Sequence, residues 1–373
     1  MKTQVQRLGE RFGGLVNKGR YSFHGRASWG LQLVLEALGR RVPERVIALP
    51  SLVCHSVVTA VIAAGWRPLF CDVELSTGLV PDAEWDQALR KGAKVCLLVH
   101  LYGHVAPIAR LAASKTDGVV VIEDVCQALG ATNGQAVCGA FGDVSLFSFG
   151  YSKIIDVSHG GCVLSNDERL MEDIDHLARS APGQTAAQWR VLAEEYKHAY
   201  EASKAQFVLD GDPSHLAGLA ERYAPQLNVS FDDEVCADIA RQMEALGDLV
   251  RQRRAKHANY SRRLSGIGVD ILECAEGAAP WRFVFSLPGV DRREQEDISA
   301  ALRQKGVHVS NWYLPAHWMV EHTFEATGEL PNTRRLSETV FQLWLDDRTS
   351  AETITVNCEA LQQVLGDTIG SPR

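Results

Sequence analysis

Several signatures that would classify a chain of this size at once are missing. None of the nine cysteines (54, 71, 96, 126, 138, 162, 236, 274 and 358) forms a C-x-x-C pair, so zinc ribbons and dithiol redox centres lose their usual support and no metal site is expected. No apolar run approaches the ~20 residues of a membrane helix, and the opening MKTQVQRLGERFGG has no apolar core of the secretion-signal kind. A cytoplasmic protein without membrane contact is therefore expected, its cysteines serving as reduced, buried hydrophobes. The formal charge of −8 arises from 38 Lys and Arg interspersed among 46 Asp and Glu, which leaves no basic footprint for nucleic acid. Also absent are G-x-x-x-x-G-K-[ST], H-E-x-x-H, G-x-S-x-G, and G-x-G-x-x-G after a first strand. Nucleotide triphosphate hydrolysis, zinc proteolysis, serine hydrolysis and dinucleotide binding lose their common supports with them.

What remains is an ordinary globular composition, 46% hydrophobic over 373 residues, enough for a large core and two domains. From residue 45 to 165 short apolar runs alternate with helix-length segments: RVIALP, RPLFCDV, KVCLLVH, GVVVIED, DVSLFSF and GGCVLS. Strands that are apolar throughout are covered on both faces, which predicts an α/β fold built on a mainly parallel sheet. SWGLQLVLEALG reads as an amphipathic helix opened by Ser28 and stopped by Gly39. Residues 231–266 read as one long helix, with apolar residues at three- and four-residue steps and no proline. The expected division is a large domain over 1–235, then a connecting helix and smaller α/β domain over 236–373.

Three segments fall at the C-terminal ends of consecutive strand candidates, where α/β sheets place ligands: VHLYGH (99–104), VIEDVCQALGA (121–131) and SFGYSK (148–153). An acid emerging from GVVVI is partly desolvated and needs a partner. For Asp124 a pyridinium nitrogen is such a partner, and a lysine one strand further on, Lys153, can form the Schiff base of pyridoxal 5'-phosphate. The phosphate calls for hydroxyls and N–H groups at a helix N-terminus, which Ser148 and the start of the ASWGLQLVLEALG helix can supply. Taken singly, Lys153 reads as a solvated loop lysine and Asp124 as a helix cap. Only the ordered set points to a cofactor.

These segments, with LNVSFDDEVCADIARQMEAL and WYLPAH....LPNTRRLSE, resemble the DegT/StrS nucleotide-sugar aminotransferases from about residue 25 onward. The resemblance implies the type I aminotransferase fold and pyridoxal 5'-phosphate as cofactor, bound covalently by Lys153. It implies that Asp124 pairs with the ring nitrogen and that Gln127 lies near the phenolic oxygen. Ser148 and the backbone at Ser28 and Trp29 would hold the phosphate, with Asn228 reaching it from a neighbouring subunit of a homodimer. The reaction implied is amino transfer from L-glutamate to a keto group of a nucleotide-linked sugar, in polysaccharide or antibiotic biosynthesis.

The chain departs from the family pattern at three points. Arg26-Ala27-Ser28 replaces the usual Ser-Gly-Thr, and His159 stands where a glutamate is common. Cys54 occupies the position of the aromatic that stacks on the cofactor, leaving His55 as its substitute. These departures keep two alternatives open: an enzyme of the same fold acting on a cyclitol or other non-nucleotide ketone or as a dehydratase, and a cofactor-binding paralogue without turnover. Lys153 argues against the dehydratases, where a histidine replaces it.

Overall fold

The apolar runs become neighbours in one sheet. The computed structural model describes residues 2–134, 136–181, 183–321 and 324–369. Its first half runs α1 (Gln4–Val16), β1 (Arg20–His24), α2 (Ala27–Leu38), β2 (Val46–Pro50), α3 (His55–Ala63), β3 (Arg67–Cys71), α4 (Asp82–Arg90), β4 (Val95–Val99), α5 (Ala109–Ser114) and β5 (Val120–Asp124). A short hairpin of β6 (Thr132–Asn133) and β7 (Ala136–Val137) precedes β8 (Val144–Ser148) and β9 (Gly161–Ser165). The helices α6 (Glu168–Ser180), α7 (Ala186–Asp210) and α8 (Leu219–Tyr223) follow. The chain continues through α9 (Cys236–Glu244), α10 (Leu246–Leu264), β10 (Asp270–Ile271), β11 (Arg282–Ser286), α11 (Arg292–Gln304), β12 (Val309–Ser310), β13 (Glu325–Ala326), α12 (Pro331–Thr339), β14 (Val340–Trp344) and α13 (Ala351–Ile369).

The large sheet has the order β1-β9-β8-β5-β4-β2-β3-β13, and only β9 runs against the rest. Every residue of β2, β4 and β9 is buried, as continuous apolar runs require when both faces of a sheet are covered. The smaller antiparallel sheet, β10-β11-β14-β12, forms its own core from Tyr260, Phe283, Phe285, Phe341 and Leu361. All nine cysteines are free thiols. Among the described residues no helix is long and apolar enough to cross a membrane.

Two sequence expectations are corrected. The single helix over 231–266 is two, α9 and α10, meeting at Ala245 with ψ near 3°. The bend lets Cys236 and Ile239 on one side and Leu246 and Val250 on the other enter the same apolar cluster, a tertiary demand that periodicity does not reveal. Beyond residue 235, β13 returns to pair with β3 in the large sheet and α9 packs on α1. Finally, α2 begins at Ala27 with Arg26 as its N-cap, so Ser28 lies inside the first turn rather than before it.

Candidate active site

Successive side chains on a strand point to opposite faces, so the adjacent acids that end β5 serve different sides of the sheet. Glu123 turns toward the loop before β8. Its Oε1 accepts from His100 Nε2 at 3.0 Å and Gly139 N at 2.6 Å, and its Oε2 from Phe141 N at 3.0 Å and Gly142 N at 2.7 Å. Burial alone would raise this carboxyl; the bonds from His100, Gly139 and Gly142 outweigh it and hold it below the ordinary range. His100 Nδ1 accepts from Ala106 N at 3.0 Å, which assigns the ring proton to Nε2. His100, Glu123 and Cys138 lie close enough to suggest a metal, but the His and Glu donor atoms are already engaged with one another and with backbone N–H groups. The cluster fixes the loop and the strand end.

Asp124 faces the other way, into a cavity of about 320 Å³ at the C-terminal ends of β4, β5 and β8. Asp124 is 5% exposed; its carboxylate accepts from Cys126 N at 2.9 Å and has no cation partner among the described residues. A buried anion without a counter-ion is costly. It therefore suits a ligand that brings a positive N–H to that point.

Lys153 enters the same cavity from the loop between β8 and β9. Two residues of this loop, Ser152 (φ 66°) and Ser158 (φ 70°), adopt left-handed backbone that side-chain-bearing residues avoid. Asp156 holds them there: its Oδ2 accepts from Ser152 N at 2.6 Å and its Oδ1 from Ser158 N at 2.8 Å. Gln242 on α9 in turn brackets Asp156, accepting from its N at 3.0 Å and donating to its O at 2.9 Å. Lys153 Nζ makes no hydrogen bond among the described residues and lies 4.9 Å from the centre of the Trp281 ring. Trp281 is locked by its own Nε1–H donating to Ser152 O at 2.7 Å. Behind it lies the fully buried Arg282 guanidinium, between the Trp281 and Trp344 rings at 4.1 and 3.6 Å, its pKa pushed down to about 9 by burial and then by Arg253.

Gln127 is oriented at both ends, accepting from Tyr102 N at 2.7 Å and donating to Tyr313 Oη at 2.7 Å. Ser28 and Ser148 line the cavity, as do Arg26, His159, Cys54, Cys126 and Trp189. One residue expected at the site lies elsewhere. His55 is turned away from the cavity into a cluster with Tyr196, Tyr200 and Tyr223, ring centres 5.3, 5.9 and 4.7 Å away, so it does not replace the stacking aromatic. Burial, with Arg26 adding to it, pushes the His55 imidazole down to about 4 and keeps it neutral. Trp29 buries its ring inside the core, leaving only its backbone near the start of α2. Asn228 lies outside this cavity, donating from Nδ2 to Ala181 O at 3.2 Å while its Oδ1 is buried without a partner.

The residues present fit pyridoxal 5'-phosphate: an uncompensated buried carboxylate for the ring nitrogen, a free amine within the same cavity, and hydroxyls beside a helix N-terminus for the phosphate. Sequence reasoning missed Asp156, Trp281 and Gln242. Only the pairing of consecutive acids in VIEDV carried a readable hint, through strand alternation, that Glu123 and Asp124 divide their work.

Comparison with known proteins agrees with this geometry. The sequence profile of the DegT/DnrJ/EryC1/StrS aminotransferase family matches residues 4–362. A pleiotropic regulatory protein of Geobacillus stearothermophilus is 25% identical over 86% of this chain and 78% of its own. The UDP-N-acetyl-3-dehydro-alpha-D-glucosamine 3-aminotransferase of Acidithiobacillus ferrooxidans is 27% identical over 84% of this chain and 75% of its own. Among solved structures, the aminotransferase TlmJ of Streptoalloteichus hindustanus superposes with a TM-score of 0.77 at 21% identity, covering 98% of this chain and 92% of that one. The likeness extends to the whole fold, the type I architecture of pyridoxal 5'-phosphate-dependent aminotransferases.

Proposed function

Because the chain belongs to the DegT/DnrJ/EryC1/StrS aminotransferase family of pyridoxal 5'-phosphate-dependent enzymes, we propose that it moves an amino group from L-glutamate to a keto group of a nucleotide-linked sugar. The observation that carries this reading is one cavity holding both Asp124, a buried carboxylate with no cation partner, and Lys153, an unbonded amine seated against Trp281. The acceptor class is supported by the relative named for a UDP-linked dehydro-sugar.

When bound, the cofactor supplies the aldehyde that takes up the amino group and a ring that spreads the electrons left when the substrate loses its α-proton. Lys153 holds the cofactor covalently at rest. Once displaced by the amino donor, its Nζ would serve as the base that takes the α-proton and the acid that gives it back. Asp124 would keep the proton on the ring nitrogen, and Gln127, fixed by Tyr102 and Tyr313, would lie near the phenolic oxygen. Ser28, Ser148 and the backbone of Ser28 and Trp29 bind the phosphate. Trp281, backed by Arg282, keeps water from one side of Lys153. The working unit is a homodimer in the cytoplasm, with Asn228 completing the phosphate site of the neighbouring subunit. The position of Asn228 outside its own cavity supports that reading.

The purified protein should absorb in the visible, and L-glutamate should shift that spectrum to the amine form of the cofactor. Adding a panel of nucleotide keto-sugars should then return the first spectrum and yield an amino sugar by mass spectrometry. A protein that stays colourless with added pyridoxal 5'-phosphate would refute the assignment. Reaction with a cyclitol ketone but with no nucleotide sugar would replace the acceptor.

A further inference from the structure

Arg26 is the N-cap of α2, a position where no side chain accepts a hydrogen bond from the free first-turn N–H groups. Arginine suits this position poorly on two counts. It has no acceptor to offer those groups, and it adds a cation to the positive end of the helix dipole. The surroundings do not offset the charge. Nη2 donates to Tyr223 Oη at 2.6 Å, the guanidinium lies over the Trp189 ring at 4.9 Å, and Nε is buried with no partner among the described residues. The nearby His55 is neutral, as described above.

The cavity wall beside Arg26 likewise offers polar groups without partners. Ser28, 7% exposed, lines it with a hydroxyl that makes no hydrogen bond among the described residues. Arg26 pairs through its backbone with Gly160, next to His159, whose Nε2 is also buried and unpartnered. One permanent cation, an unbonded hydroxyl and an unpartnered imidazole nitrogen thus lie together on the cavity wall, with no carboxylate among the described residues bonded to them.

We propose that Arg26 is the charge-bearing ligand of the cofactor's phosphate, closing on the dianion together with the first-turn N–H groups of α2, the Ser28 and Ser148 hydroxyls and His159. The inference rests on pyridoxal 5'-phosphate being the cofactor. It adds a cationic grip from within the same subunit, carried by a residue that stands where the family pattern has serine. Trp189 and Tyr223 act as positioning residues, holding the guanidinium by its face and by one N–H.

The test titrates the apo-protein with pyridoxal 5'-phosphate and separately with pyridoxal, which lacks the phosphate, following absorbance. In R26Q the phosphorylated cofactor should bind about 100-fold more weakly, the scale of a lost charge-assisted contact, while pyridoxal binding stays within about twofold. R26K should recover most of the loss, and inorganic phosphate should compete with the cofactor in the wild type far better than in R26Q. Should R26Q not fold, Tyr223→Phe reads the same grip as a loss of a few-fold confined to the phosphorylated ligand. Equal affinity of R26Q and wild type for pyridoxal 5'-phosphate would overturn the proposal, as would a parallel loss of both ligands. It would also fall if cofactor affinity stayed unchanged while the KM of an amino donor or acceptor rose, since the anion would then belong to a substrate. A wild-type apo-protein that bound neither ligand would instead overturn the cofactor reading on which the proposal stands.

Discussion

Lys153→Ala is expected to lower amino transfer by about 10⁴-fold or more, because one side chain supplies both the covalent attachment and the proton shuttle. The result should be separable from misfolding. Lys153 is partly exposed, and its Nζ makes no hydrogen bond among the described residues, so truncation removes a contact with Trp281 and little else. Borohydride reduction followed by peptide mass spectrometry should find the cofactor's mass on the Lys153 peptide of the wild type and on no peptide of the variant. Thermal unfolding of the apo forms should differ little. Retention of turnover, or reduction trapping the cofactor at another lysine, would remove Lys153 from its proposed role.

Glu123→Ala should produce the largest loss of stability from a single side chain near the site. The carboxylate takes four hydrogen bonds while 1% exposed, and alanine would leave three backbone N–H groups and the His100 N–H buried without acceptors. Removing one member of such a buried charged network costs about 3–5 kcal/mol. Urea unfolding of the apo-protein measures it, and a change below 1 kcal/mol would contradict the geometry. The pH dependence has a defined sign. A carboxyl held below its ordinary value of 4.5 contributes its stability above that pH and loses it as the pH falls through the lower, folded value. The wild type should therefore lose stability on acidification more steeply than the variant.

How far the sequence discloses this site can be judged from individual residues. Asp124 and Lys153 are legible because each lies just past a short, mostly apolar stretch, and such stretches leave little choice about where a strand ends. The small domain is legible for the same reason, from WRFVFSL and VHVSNWY. His55 was misjudged because sequence adjacency to Cys54 says nothing about which way the first residue of a helix turns, and three tyrosines remote in sequence decide that here. Asp156 was invisible for a related reason. Its work is to accept from the N–H groups of Ser152 and Ser158, and only backbone geometry shows that these two need an acceptor. Trp281 and Gln242 reach the Lys153 loop from more than 80 positions away, beyond any local pattern.

The short return of β13 has a bearing on self-association. Without it, β3 would end the large sheet as an open edge of free N–H and C=O groups, a template on which another chain can add a strand. Two residues suffice to cover it: Glu325 and Ala326 lie opposite Leu69 and Phe70, and Thr327 N donates to Phe70 O at 2.9 Å. The rest of the edge is guarded by chemistry that deters strand addition, a proline at position 68 and the Arg67–Glu325 ion pair at 2.6 Å. The segment that crosses back between the two sheets thus serves as a built-in stopper against aggregation.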